Sequence, residues 1–258
     1  MDWIAGHFAR LMRPDTFIEV LVQLGTFAGA VSGVRLASAK KFDWFGAYVV
    51  GFVTALGGGT LRDMLMLQPP FWYNSPSYLV TTFVAVVAVA LFGRRFISEQ
   101  ITWFVFDTIA ISIFMVIGME KVVAAEGAAA AAAGGGWTLT SAGCWWKAIV
   151  MGVITSVFGG ILRDICVNDV PLIFRKELYA LACAAGGAVY FALAACGADL
   201  RLCAIVCMVC IFVVRALAIK YHLGVPVLSG RGAKILHHHR RRPHPAHGGP
   251  APAAKEVR

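Results

Sequence analysis

One phrase occurs twice in this chain and limits what it can fold into. Ala55-Leu-Gly-Gly-Gly-Thr-Leu-Arg-Asp63 returns as Val157-Phe-Gly-Gly-Ile-Leu-Arg-Asp164, each copy inside an apolar run. The register holds at a constant offset of 101 residues: Gly58/Gly159, Gly59/Gly160, Leu61/Leu162, Arg62/Arg163 and Asp63/Asp164. It continues through Pro70/Pro171 and Tyr78/Tyr179. Glycines loosen a helix, and an Arg-Asp pair within an apolar run is costly to bury. A chain that does both twice is built from an internal repeat.

The surrounding composition says where the repeat sits. The chain is 59% hydrophobic and only 14% charged, with a mean hydropathy of +0.73. Soluble domains carry about 25% charged residues, so a polytopic, all-α membrane protein is expected. No basic, apolar leader with a small-residue cleavage site opens the chain, so the N-terminus is expected to be retained. The net charge of +9 resembles a nucleic-acid signal until it is located. Eight of the 23 Lys/Arg lie from Lys220 onward, and most others sit in short loops. This is topology-setting charge, and no nucleic-acid partner is expected. Cys183, Cys196, Cys203, Cys207 and Cys210 lie in apolar runs, so no disulfide framework is expected. Cys207-Met-Val-Cys210 has redox spacing, but on an apolar helix it reads more simply as a small packing face; no metal or cofactor is expected.

Seven spans are predicted: Phe17–Ala37, Trp44–Leu67, Ser77–Phe92, Trp103–Gly118, Trp145–Val167, Glu177–Leu193 and Leu200–Ile219. The first carries Gly25, Gly29 and Gly33 on one face, permitting close helix approach within the protomer or between protomers. Pro69-Pro70 ends the second. Between the fourth and fifth lies an Ala/Gly-rich insert at 126–136, expected to be a tolerated loop insertion. Arg215, near the end of the seventh span, is expected to snorkel to the interface. The tryptophans, at span ends or in loops, read as interfacial anchors, as do Tyr78 and Tyr179. The expected domains are an N-terminal segment 1–16, a first three-helix repeat 17–97, a second 98–197, a seventh helix 198–222 and a disordered basic tail 223–258. His237-His-His239 in that tail reads as solvated. Loop charge, decided by the tail, favours N-terminus out and C-terminus in.

Three spans per half invert the second copy in the membrane. The expected fold is therefore two inverted three-helix repeats plus a seventh helix, an arrangement common in transport proteins. The glycines are expected to break the second and fifth helices, freeing backbone groups for an ion or small zwitterion. Gly57, Gly58, Gly59, Arg62, Asp63, Gly159, Gly160, Arg163 and Asp164 are thus the candidate pore or substrate residues. The Arg-Asp pairs read either as pathway charges or as internal clamps. Asp107 either faces the bundle interior or is solvated near the interface. Arg175 and Lys176 form a surface cluster that could reach the pathway.

At these residues the chain resembles the bacterial branch of the trimeric intracellular cation (TRIC) channel family. The motifs are Gly57-Gly-Gly-Thr-Leu-Arg-Asp63, Pro70-Phe-Trp72, Gly159-Gly-Ile-Leu-Arg-Asp164 and Pro171-Leu-Ile-Phe-Arg-Lys-Glu-Leu-Tyr-Ala180. The resemblance covers about Phe17 to Tyr221. It implies seven helices, a homotrimer in a bacterial inner membrane, and one pore per protomer lined by the second and fifth helices. It implies monovalent cation permeation, with K⁺ the usual ion, although some bacterial members look like glycine transporters. Two departures stand out: Phe158 replaces the counterpart of Gly57, and the repeat partner of Asp107 is Val22.

The first transport reading is a monovalent cation (K⁺) channel through the two kinks; the alternative is an alternating-access carrier of glycine or a similarly small amino acid. Arg62 and Arg163 are awkward beside a cation path unless Asp63 and Asp164 neutralise them, and suit an amino-acid carboxylate better. An enzyme is not expected, because there is no His-Glu-x-x-His or Gly-x-Ser-x-Gly motif and no histidine in the seven spans. The seventh run lacks a central lysine, which argues against a retinal protein.

Overall fold

The structure, a computed structural model, describes residues 14–97, 100–134, 143–174, 178–221 and 223–224. The apolar runs form seven α-helices, with no strand among the described residues. In order these are α1 (Pro14–Ala39), α2 (Trp44–Leu65), α3 (Ser77–Ile97), α4 (Gln100–Ala132), α5 (Cys144–Cys166), α6 (Tyr179–Ala195) and α7 (Leu200–Lys220). Asp43 caps α2, accepting from the Gly46 amide at 2.7 Å, and Asp199 caps α7 through the Arg201 amide at 2.9 Å. Five helices (α1, α2, α4, α5 and α7) are long and apolar enough to cross a bilayer; Ser77–Phe92 and α6 are shorter apolar helices. The tail from 225 and its His triplet, Arg175, Lys176, Trp3 and Trp137 lie outside the described residues.

Two expectations about local structure are corrected. The glycines do not break their helices: α2 runs unbroken through Gly57, Gly58 and Gly59, and α5 through Gly159 and Gly160. In an apolar surrounding every backbone group needs a partner, which holds the helix together despite glycine's cost of about 1 kcal/mol. The Ala/Gly insert is also largely helical. α4 does not stop at Gly118 but continues through the alanines to Ala132. Alanine has the highest helix propensity, and one internal glycine, Gly127, is tolerated.

What the glycines do instead is let helices touch. A Cβ on Gly58 would collide with the Thr155 carbonyl oxygen, and one on Gly159 with that of Thr54. As position rises on α2 it falls on α5, so the two helices pack antiparallel and cross near Leu56 and Val157. The contacts of α1 and α4 repeat in the same way. Gly33 packs on the Thr54 side chain and Gly118 on that of Thr155. Gly51 meets Val34 and the Ala30 carbonyl, while Gly152 meets Met119 and the Met115 carbonyl. These pairs set α1 against α4 at an offset of 85, so the extra residues of the second half fall after Ala124. Gly25 and Gly29 face Ile113, Phe114 and Ala55, so the small-residue stripe of α1 packs inside the protomer.

Candidate functional site

Each Arg-Asp pair is a clamp on the turn that follows its helix. Arg62 Nε donates to Asp63 Oδ1 at 2.9 Å, and the Phe71 amide donates to Asp63 Oδ2 at 2.8 Å. One repeat later, Arg163 Nε donates to Asp164 Oδ1 at 2.9 Å and the Leu172 amide to Asp164 Oδ2 at 2.9 Å. The chain reverses through left-handed residues at equivalent places, Leu67 (φ 55°) and Asn168 (φ 58°). Both Asp63 and Asp164 are buried. A buried carboxylate with an arginine on one oxygen and a backbone amide on the other is well satisfied. Clamping is common to both copies; what surrounds them is not.

Beside the first clamp lies a cavity of about 370 Å³. Its wall includes Gly59, Arg62, Phe71 and Tyr78 from the first motif and Thr155 from α5. α1 contributes Ile18, Glu19 and Val22, and α4 contributes Phe114, Ile117, Glu120, Lys121 and Ala124. The Arg62 guanidinium lies 5.6 Å from the Phe71 ring centroid, and Phe71 meets Tyr78 edge-on at 4.8 Å. A Cβ on Gly59 would come within 2.5 Å of Phe71, so glycine makes room for that ring. Lys121 Nζ reaches Asp63 Oδ1 at 3.4 Å. Two cations, Arg62 and Lys121, both in contact with Asp63, therefore share a mostly apolar cavity with the carboxyl side chains of Glu19 and Glu120. Thr155, whose carbonyl presses on Gly58, belongs to its wall, so the cavity reaches down to the α2/α5 crossing.

The corresponding place at the second clamp is filled with protein. Arg163 Nη1 donates to Asp107 Oδ1 at 2.6 Å and to Ser32 Oγ at 2.8 Å. Arg215 Nη1 donates to Asp107 Oδ2 at 2.9 Å. The Arg163 guanidinium lies 5.5 Å from the Trp103 ring centroid, and that of Arg215 lies 4.5 Å from Tyr179 and 5.0 Å from Phe104. Arg163, Asp107, Tyr179 and Arg215 are all buried. From Asp107 to Glu120 along α4, and from Glu19 to Ser32 along α1, is thirteen residues, or about 20 Å. The open cavity and the closed cluster thus lie at opposite ends of the bundle, on either side of the crossing.

Several expectations are corrected here. Arg215 does not snorkel: with 3% of its surface exposed, it is fixed to Asp107. One buried carboxylate bond and two aromatic faces hold it better than a reach to water. Asp107 is interior and not merely solvated, because two arginines neutralise it. Tyr179 is no interfacial anchor, being 2% exposed beneath Arg215. Glu19, Glu120 and Lys121 were not among the expected site residues. The available signal was an acidic residue, Glu120, inside an apolar run. No group of three or more His, Cys, Asp or Glu able to hold a metal occurs among the described residues.

Known proteins resemble this chain in sequence and fold. The chain matches the family described as "Glycine transporter" over residues 19–94 and 122–195. It is 35% identical over 210 residues to the inner membrane protein YadS of Escherichia coli K12, covering 80% of this chain and 93% of that one. It is 33% identical over 220 residues to a membrane protein of Vibrio cholerae, covering 83% and 84%. Among solved structures it resembles a TRIC trimeric intracellular cation channel orthologue from Rhodobacter sphaeroides, with a TM-score of 0.70, 32% identity, and coverage of 81% and 100%. A second TRIC cation channel aligns with a TM-score of 0.69 and 28% identity over 83% of this chain and 98% of that one.

Proposed function

We propose, for a chain that belongs to the glycine transporter family and shares the TRIC channel fold, that it is a secondary transporter of glycine or a similarly small amino acid. The observation carrying this reading is the asymmetry of the two motif sites: a charged cavity at one, the closed Asp107–Arg163–Arg215 cluster at the other. A carrier alternates access to one site between two gates, and an opening on one side with its repeat counterpart shut is the asymmetry that one such state would have. The antiparallel crossing of α2 and α5, with equivalent glycines at equivalent contacts, supports an inverted repeat able to exchange the two states. In the cavity, Arg62 and Lys121 suit a carboxylate while Glu120 and Glu19 suit an ammonium group. A cavity bearing both signs fits a zwitterion better than a lone cation.

A monovalent cation channel, with K⁺ as the ion, is the second reading, favoured by the solved relatives, which are cation channels. In that case the conducting state must separate α2 from α5, because here their backbones touch at Gly58 and Gly159. The trimeric relative supports a homotrimer with one pathway per protomer. The E. coli relative supports placement in a bacterial inner membrane, and the loop charges support N-terminus out. Uptake of radiolabelled glycine into liposomes carrying the purified protein tests the carrier. Saturable uptake, with unlabelled glycine accelerating exchange, is expected; its absence, with K⁺ flux present, would leave the channel.

A further inference from the structure

Around Gly160, hydrogen-bond donors outnumber acceptors. The Tyr179 hydroxyl, Arg163 Nη2, Arg215 Nη2 and Trp103 Nε1 are buried and find no acceptor among the described residues. They share one neighbourhood. The point a Cβ would occupy on Gly160 lies 3.0 Å from the Tyr179 hydroxyl and 3.7 Å from Arg163 Nη2. Trp103 lies against the Arg163 guanidinium, and Tyr179 against that of Arg215. Buried donors without partners are rare in native proteins, and four in one place call for a missing acceptor.

The neighbouring carboxylates do not supply it. Their bonds go to other donors: Asp107 accepts from Nη1 of Arg163 and of Arg215, and Asp164 from Arg163 Nε and the Leu172 amide. What remains unpaired is Nη2 of each guanidinium, a phenol and an indole N–H. Gly160, lacking a side chain, lets the Tyr179 hydroxyl and Arg163 Nη2 approach its backbone closely, so that both donors are turned to one point.

We propose that this closed cluster is a binding site for a small carboxylate. One carboxylate oxygen lies beside Gly160, accepting from Arg163 Nη2 and the Tyr179 hydroxyl; the other accepts from Arg215 Nη2. Charged Nη2 donors from two arginines suit a carboxylate's two oxygens, and the aromatic donors complete the shell. The Asp107 bridge between Arg163 and Arg215 holds the donors in place before the ligand arrives. Arg163 is the repeat counterpart of Arg62, so the site would take the carboxylate end of a solute that the open cavity holds in the opposite state. That physiological role rests on the transport reading; the binding chemistry rests on the donors alone.

The test is equilibrium binding to the full-length protein in nanodiscs, with acetate, glycine and methylamine as probes after long incubation. Acetate and glycine are expected to bind and methylamine not to. Tyr179→Phe removes one hydroxyl without changing shape and should weaken acetate binding about tenfold, as expected for losing one hydrogen bond to a charged group. Gly160→Ala pushes the Tyr179 hydroxyl out of place and should abolish binding while the helix is retained. Acetate bound with unchanged affinity in both folded variants overturns the site, as does a folded wild type that binds no carboxylate. Acetate binding lost in Tyr179→Phe, in a protein that transports no glycine, keeps the site and ends the transport reading. Glycine uptake with an unchanged KM in both variants does the reverse.

Discussion

The backbone of Gly58 lies against the carbonyl of Thr155, so close that no side-chain carbon fits between them. The same contact joins Gly159 to Thr54. Between the two contacts the antiparallel helices α2 and α5 touch directly, and this crossing separates the open cavity from the closed cluster. Any solute that passes must loosen it.

Alanine at Gly58 or Gly159 is therefore expected to wedge the crossing apart. Overpacking of this kind costs about 1–3 kcal/mol. At Gly57 the nearest obstacle is the flexible Leu162 Cδ1 at 2.8 Å, so Gly57→Ala should cost less. Thermal unfolding of the three variants in one detergent gives the order directly. Equal losses at all three would mean that the backbone contact is not what matters.

Asp107 neutralises two buried arginines at once. Asp107→Asn strands Arg215 and leaves Arg163 with Asp164 alone, and breaking a buried ion pair from one side costs about 3–5 kcal/mol. Adding Arg215→Met removes one stranded charge, so the double variant should be more stable than Asp107→Asn alone. A double-mutant cycle that is additive within about 0.5 kcal/mol would contradict the bridge.

Filling the open cavity should stop transport without unfolding the protein. In Gly59→Leu the new side chain competes with Phe71, 2.5 Å from where its Cβ must go. Glycine uptake should vanish while the oligomer elutes unchanged in size-exclusion chromatography. Glu120→Gln retains the shape but removes a charge suited to an ammonium group; its KM for glycine should rise about tenfold, the cost of one charge-assisted hydrogen bond.

The helical insert carries an ion pair of a different kind. Lys147 Nζ meets Glu126 at 2.8 Å with both side chains more than a third exposed. Exposed pairs contribute about 0–1 kcal/mol. Glu126→Ala should leave the melting temperature nearly unchanged and transport intact, as measured on the same liposomes.

Much of this was legible in the chain, and the limits have physical causes. The offset between Asp63 and Asp164 is visible because each clamp is local: arginine, aspartate and the following turn lie within nine residues. Apolar run length reveals the helices for the same reason. The Asp107–Arg163–Arg215 cluster is not legible, because its members lie far apart in sequence and Arg215 stands near a helix end, where snorkelling is the ordinary expectation. The role of the glycines was misread for a related reason. Their lack of a side chain permits either a break or a close approach, and only the position of Thr155 and Thr54 decides between them. The alanine run has the low complexity of a loop insertion but the highest helix propensity of any residue, and propensity decides it.

The central claim is that each protomer exposes one charged cavity at a time and so carries a small amino acid. The most direct measurement is on wild-type protein in liposomes, with radiolabelled glycine counterflow run beside single-channel recording under a KCl gradient. Saturable counterflow without unitary currents is the expected result. Discrete currents reversing near the K⁺ potential, without saturable glycine uptake, would contradict it.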